Sequence, residues 1–180
     1  MLHRFLLTIQ PSSTLSAEVQ RLRALLHPAI GSFSGRTTPP HITLCFLDLP
    51  EAHGPAIMET IARGNVGHQP FTLRYYGITH FPDKRTIYID PVEKDVVANV
   101  RKPIISTLKE DPALGEALRE TDHPHLTIAA GLKPGQFDKA WEMLVPHEWH
   151  SEERVGEVVL FKRPLRSGTQ YEPVRQFPFG

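Results

Sequence analysis

The chain has 180 residues, 40% of them hydrophobic and 22% charged, a composition that suits one compact domain or two closely packed lobes. Its 20 basic and 20 acidic residues cancel, which excludes the broad positive field needed to grip a long nucleic-acid duplex. The lone cysteine, Cys45, excludes an intramolecular disulfide framework and fits a reducing cytoplasm.

Taken in order, Met1 to Gln10 is apolar but too short to span a bilayer, and Arg4 to Ile9 reads as a first strand ending before Pro11. The protein is therefore expected to be cytoplasmic. Ser12, Ser13 and Thr14 are candidate caps for a helix over Leu15–Ile30, with Val19, Leu22, Leu25 and Leu26 at helical spacing and Pro28 fraying its end. A polar loop, 31–40, carries Arg36, Thr37 and Thr38 within reach of a bound phosphate, a solvated loop being the alternative. A strand His41–Leu47 follows, then a turn through Asp48–Pro50 and a helix from Glu51 to Arg63 with Ile57, Met58 and Ile61 inward. Phe71–Phe81 and Arg85–Asp90 read as a hairpin about Pro82-Asp83-Lys84.

A second helical region, Val92–Leu108, places Val96, Val100, Ile104 and Leu108 on one stripe, with Pro103 as an objection to its continuity. Glu110 to Asp122 is polar, with room for a short helical turn. Strand His125–Ala130 closes at Gly131, a short helix occupies Gln136–Leu144, and two strands, Glu153–Phe161 and Tyr171–Phe179, flank a loop over Lys162–Gln170. Long strands separated by helices, with hairpins present, predict an α+β fold of mainly antiparallel sheet. The halves rhyme loosely, so we expect a duplicated, bilobal arrangement: two sheets with outer helices around a central cleft.

One four-residue pattern occurs twice, half a chain apart. His41-Ile42-Thr43-Leu44 and His125-Leu126-Thr127-Ile128 both read His-apolar-Thr-apolar, and each follows a proline, Pro40 or Pro124. On a strand, His and Thr share one face, about 6–7 Å apart, while the aliphatics enter the core. Facing copies would surround one small anion with two imidazoles and two hydroxyls. Imidazole titrates near neutrality, so one neutral and one protonated ring can take a proton from attacking water and return one to a leaving oxygen. Threonine hydroxyls can hold the non-bridging oxygens. This is a chemistry for phosphodiester cleavage that uses no metal.

Other patterns are weaker. His123 with His125, and His147 with His150, complete neither a closed zinc set nor a His-Glu-x-x-His motif. No Gly-x-Ser-x-Gly elbow supports a serine nucleophile. Arg85, Tyr88, Lys162 and Arg163 flank strand ends within reach of phosphate or base, with solvent exposure as the alternative for each. Tyr171, after Gly168-Thr169-Gln170, lines a base pocket or packs in the core. Phe5, Phe46 and Phe161 read as core.

The paired His-x-Thr motifs, their half-chain spacing and the ending Val155–Phe161, Gly168–Tyr171 and Phe177 resemble the 2H phosphoesterase superfamily, most closely its 2′-5′ RNA ligase-like and RNA 2′,3′-cyclic phosphodiesterase branch. The resemblance covers essentially the whole chain, 1–180, as one domain of two lobes, each giving one motif. It implies a metal-independent enzyme with no cofactor that opens 2′,3′-cyclic phosphates to 2′-phosphates or acts on 2′-5′ linkages. His41 and His125 become the acid/base pair, and Thr43 and Thr127 the phosphate-binding hydroxyls. Arg85, Tyr88 and Tyr171 are further candidates for substrate contact. The implied partner is a small cyclic nucleotide or RNA terminus, with no membrane and no long duplex, and the protein is expected to be a monomer. One departure stands out: several bacterial relatives carry an arginine shortly after the second motif, where this chain has Ala129 and Ala130. The alternative function is a non-catalytic nucleotide-binding module on the same fold.

Overall fold

Alternation along the first strand, β1 (Leu2–Ile9), sets the two faces of the sheet. Phe5, Leu7 and Ile9 are buried in the core, while Arg4 and Leu6 line a cleft on the opposite face. The structure is a computed structural model that describes residues 1–166 and 168–180. After β1 come α1 (Ser13–Ile30), β2 (Ile42–Pro50), a 3₁₀ turn (Glu51–His53), α2 (Gly54–Gly64), β3 (Phe71–Phe81) and β4 (Thr86–Pro91). The chain continues with α3 (Lys94–Glu110), α4 (Pro112–Ala117), β5 (Leu118–Glu120), β6 (Leu126–Ala129), α5 (Pro134–Leu144), β7 (His150–Val155), β8 (Glu157–Pro164) and β9 (Glu172–Pro178).

The fold is α+β, with antiparallel strand pairs throughout the described residues, as expected. The two expected sheets are joined into one of nine strands, ordered β7-β3-β4-β6-β2-β1-β8-β9 with β5 also on β2. A single pairing, Ile42 with Leu126, makes the join between β2 and β6. β7 and β8 stand far apart in this order, yet Gly156 alone separates them in the chain. The sheet therefore curls until its two flanks approach one another at Gly156. A continuous strand over Glu153–Phe161 was expected there. Gly156 interrupts it, and the two pieces pair with different partners, β3 and β1.

Helices α1 and α5 pack together beside β6, and α2 packs on α3. The latter contact is tight at Gly64, where a Cβ would lie 2.6 Å from the Cα of Ile104. Gly64→Ala is expected to push the helices apart and destabilise the fold by about 1–3 kcal/mol, the usual range for overpacking, read by urea denaturation.

Several local expectations shift in the structure. The side chain of Ser12 caps α1 by accepting from the Leu15 N–H at 3.2 Å. The helix runs through Pro28 to Ile30, where Gly31, at φ 76°, ends it. α3 likewise passes Pro103 unbroken. Its buried stripe begins at Val97 rather than Val96, and Met58 of α2 is only partly buried. The polar segment after α3 holds α4, capped by the Asp111 carboxylate, and the unexpected strand β5. β8 continues to Pro164, so Lys162 and Arg163 belong to a strand rather than a loop.

Candidate active site

Each motif histidine stands just before its strand, His41 ahead of β2 and His125 ahead of β6. The same local device holds both. Imidazole Nδ1 of His41 lies 2.7 Å from the carbonyl of Pro39, and Nδ1 of His125 lies 2.8 Å from the carbonyl of His123. A carbonyl only accepts, so each Nδ1 must carry a proton and donate it. Each neutral ring then presents an unprotonated Nε2. The prolines at 40 and 124 bias the residue before them toward extended backbone, which sets up both carbonyls.

The pairing of Ile42 with Leu126 brings the motifs together. Continued one residue either way, this antiparallel register sets His41 opposite Thr127 and Thr43 opposite His125. All four lie on the face away from buried Ile42 and Leu126. Strand spacing of about 4.8 Å and a two-residue step of about 6–7 Å make them a compact square. They line one open cleft of about 350 Å³, together with Arg4, Arg23, Phe46, Arg163 and Tyr171. That volume suits a small ligand such as a nucleotide.

A register shift near Leu7 and Thr8 lets β2 keep a polar face. Thr8 pairs with Thr43 but Leu7 with Cys45, so one extra residue of β2 is absorbed there. His41 and Thr43 thereby share the cleft with Phe46, three residues beyond Thr43. Leu44 and Cys45 go to the core, where burial pushes the Cys45 thiol up to about 12 and leaves it inert.

Arg23, a residue of α1 that was not among the sequence candidates, ties the site together. It is 3% exposed and donates from Nε to the Ile128 carbonyl at 3.0 Å and from Nη2 to the Thr127 carbonyl at 2.9 Å. Nη1 donates to the carbonyl of Thr38, in the loop that leads to His41. One side chain thus ties the second motif to the loop that leads into the first. It has no carboxylate partner among the described residues, and burial lowers its pKa to about 10, which still leaves it charged. A polar residue on a helix flank carries no sequence signal for this role.

Both histidines titrate below the ordinary value. For His41, burial dominates, with the charges of Arg23 and His125 pushing the same way against the Pro39 carbonyl. Burial also dominates for His125, aided by His123 and Lys84 and opposed by the His123 carbonyl and Asp90.

The remaining candidates separate. Tyr171 lines the cleft and also a small apolar recess beside His41, with Leu6 and Phe161. Tyr88, 4% exposed, pairs in register with Thr127 and forms the wall behind His125. Its ring lies 5.4 Å from that of His125 and stacks on Phe81 at 4.4 Å, and its hydroxyl meets His123 Nε2 at 3.3 Å. Arg85 is exposed on the β3–β4 turn, tied through Nε to the Leu132 carbonyl at 2.7 Å, and is not among the cleft-lining residues. Thr38 lines the cleft, whereas Arg36 is exposed outside it. Of the three phenylalanines, Phe5 is core, while Phe46 and Phe161 face the cleft and the recess. Among the described residues, no group of three or more His, Cys, Asp or Glu side chains converges as a metal site.

A model of the 2′-5′ RNA ligase superfamily matches residues 11–165. The chain belongs to that family, the 2H phosphoesterases. Solved structures agree on the fold. Escherichia coli LigT in its apo form is 18% identical, with a TM-score of 0.70, over 99% of this chain and 98% of that one. LigT complexed with 3′-AMP is 15% identical, with a TM-score of 0.69, over 99% and 98%. A protein of Thermus thermophilus is 16% identical, with a TM-score of 0.68, over 98% and 97%. No curated protein gives a significant sequence match. Among the described residues, no helix of this 2H phosphoesterase is long and apolar enough to cross a membrane.

Proposed function

We propose that this 2H phosphoesterase is a metal-independent phosphodiesterase that opens 2′,3′-cyclic phosphates of RNA ends or small nucleotides to 2′-phosphates. The observation that carries the reading is the matched tautomer of two imidazoles, each fixed through Nδ1 with Nε2 free, set corner to corner with two threonines in one cleft. LigT, a structural neighbour, has been crystallised with 3′-AMP, NADP+ and ATP, which suits a nucleotide-sized cleft.

In the proposed reaction, one neutral Nε2 removes a proton from water as its oxygen bonds to phosphorus. The bond from phosphorus to the ribose 3′ oxygen breaks, and the other imidazole, protonated, delivers its Nε2 proton to that oxygen. One proton enters the pair and one leaves it, so the second ring starts the next cycle as the base unless the two exchange protons through solvent. Thr43 and Thr127 donate to the non-bridging oxygens, where negative charge grows. Arg23 adds a fixed positive charge beside them and serves where relatives use the arginine missing at Ala129 and Ala130.

The test is turnover of a nucleoside 2′,3′-cyclic phosphate in excess chelator, with the product read by phosphorus NMR. Sustained turnover giving the 2′-phosphate is the expected result; activity that chelator abolishes would overturn the reading. Binding without turnover by the folded protein would favour the non-catalytic module. Thr43→Val and Thr127→Val keep shape but remove a donor. Each is expected to lower kcat by about tenfold to a hundredfold, from the loss of one charge-assisted hydrogen bond, less than the loss of a histidine.

A further inference from the structure

The cleft does not end at the motif square. Along β1 it runs past Leu6 to Arg4, four residues or about 13 Å beyond Thr8, the buried residue opposite Thr43. At that level Arg4 pairs in register with Arg163 of β8, and both arginines line the cleft wall. Their surroundings differ. Arg4 is held by Asp48 in a bidentate pair, at 2.8 and 2.7 Å, and lies over the Phe46 ring at 4.2 Å. That pair occupies both Asp48 oxygens.

Arg163 has no carboxylate partner among the described residues. Its Nε is shielded from solvent and donates to nothing there, and its one hydrogen bond is a long contact of 3.5 Å to the Thr169 hydroxyl. Glu51 and Glu172, next to β8, both pair with the neighbouring Lys162. Arg163 rests over the Tyr171 ring at 5.0 Å, and that ring reaches toward His41 along the recess. The wall therefore holds two arginines and one carboxylate, and the half-buried Arg163 guanidinium has an unpartnered Nε and no anionic acceptor among the described residues. A buried donor without a partner is costly, and guanidinium geometry suits two phosphate oxygens.

We infer that Arg163, with Arg4 beside it and Tyr171 as a stacking surface, forms a second anion subsite that takes another phosphate of the same substrate. The preferred substrate is then a cyclic phosphate that carries a second phosphate, as at a 5′-phosphorylated nucleotide or an RNA end, rather than a bare nucleoside cyclic phosphate. This rests on the phosphodiesterase reading of the motif square. One nucleotide and the length of an arginine side chain together bridge the distance between the two sites.

The experiment compares a nucleoside 2′,3′-cyclic phosphate with and without a 5′-phosphate, at one ionic strength, in wild type, Arg163→Met and Arg163→Lys. The 5′-phosphate is expected to raise kcat/KM of wild type by about tenfold, the scale of one charge-assisted hydrogen bond. Arg163→Met should bring that ratio near one, and Arg163→Lys should keep part of it. A ratio near one in wild type, or an unchanged ratio in Arg163→Met, overturns the subsite, because a merely structural arginine would lower both substrates alike. Calorimetric dissociation constants for a nucleoside 2′,5′-bisphosphate and a 2′-monophosphate give the same ratio without turnover. If neither cyclic phosphate is cleaved, the proposed reaction fails, and this binding ratio still decides the subsite.

Discussion

Replacing either His41 or His125 by alanine is expected to lower kcat on a nucleoside 2′,3′-cyclic phosphate by about 10²–10⁴, the usual contribution of one positioned proton-transfer group. The double variant should be little worse than the weaker single one, because a base without its acid completes no cycle. Single-turnover assays with the product resolved by chromatography check both statements. Equal activity of either single variant and wild type would remove that histidine from the mechanism.

The pH dependence follows from the same rings. The proposed reaction needs one neutral and one protonated imidazole, so kcat/KM should trace a bell whose maximum lies midway between the two apparent values. Both histidines are depressed by burial and neighbouring positive charge, so the maximum is expected below pH 6.5. Stability has the matching sign. A histidine depressed on folding favours the native state fully above its unfolded value of about 6.5, and that contribution is lost as pH falls through the depressed values. Thermal melts across this range, compared between wild type and the alanine variants, measure the loss.

Arg23→Met is expected to be the most damaging change outside the motifs. It leaves the carbonyls of Thr38, Thr127 and Ile128 without their donor, at about 1–3 kcal/mol for each one that stays dry. The loop before His41 and the strand carrying Thr127 lose a common anchor, so kcat should fall by more than the stability change alone accounts for. Its second signature separates a positioning charge from packing. Removing a cation that depresses His41 should move the pH profile upward. Arg23→Lys keeps the charge but cannot reach three carbonyls with a planar fork. It should retain the acidic profile while losing stability, and an unchanged profile in Arg23→Met would rule out the electrostatic role.

Much of the site was legible because a strand has a period of two. His-apolar-Thr-apolar places chemistry on one face and core on the other wherever it occurs, and two copies half a chain apart imply a shared cleft. Local rules of the same kind, alternation for β1 and the β3–β4 hairpin and helical spacing or end signals for α1 and α5, made those elements readable. The break at Gly156 was not legible because strand formers stand on both sides of it, Val155 and Val158–Phe161, and the break depends on two different partner strands. β5 was missed because three residues that add to β2 have no pattern of their own.

By itself, then, the sequence determined the α+β class and the four motif residues; the carbonyl that each histidine holds lies only two residues back, but the structure was needed to show that contact. Tertiary structure decided which residues meet. Register at Ile42 and Leu126 squared the two motifs, a bulge kept Phe46 in the cleft with Thr43, and helix packing brought Arg23 against the second motif and the loop before the first. Adjacent strands set Arg163 next to Arg4. Such contacts arise between residues far apart in the chain, chosen by strand register and buried geometry, for which spacing along a sequence holds no record.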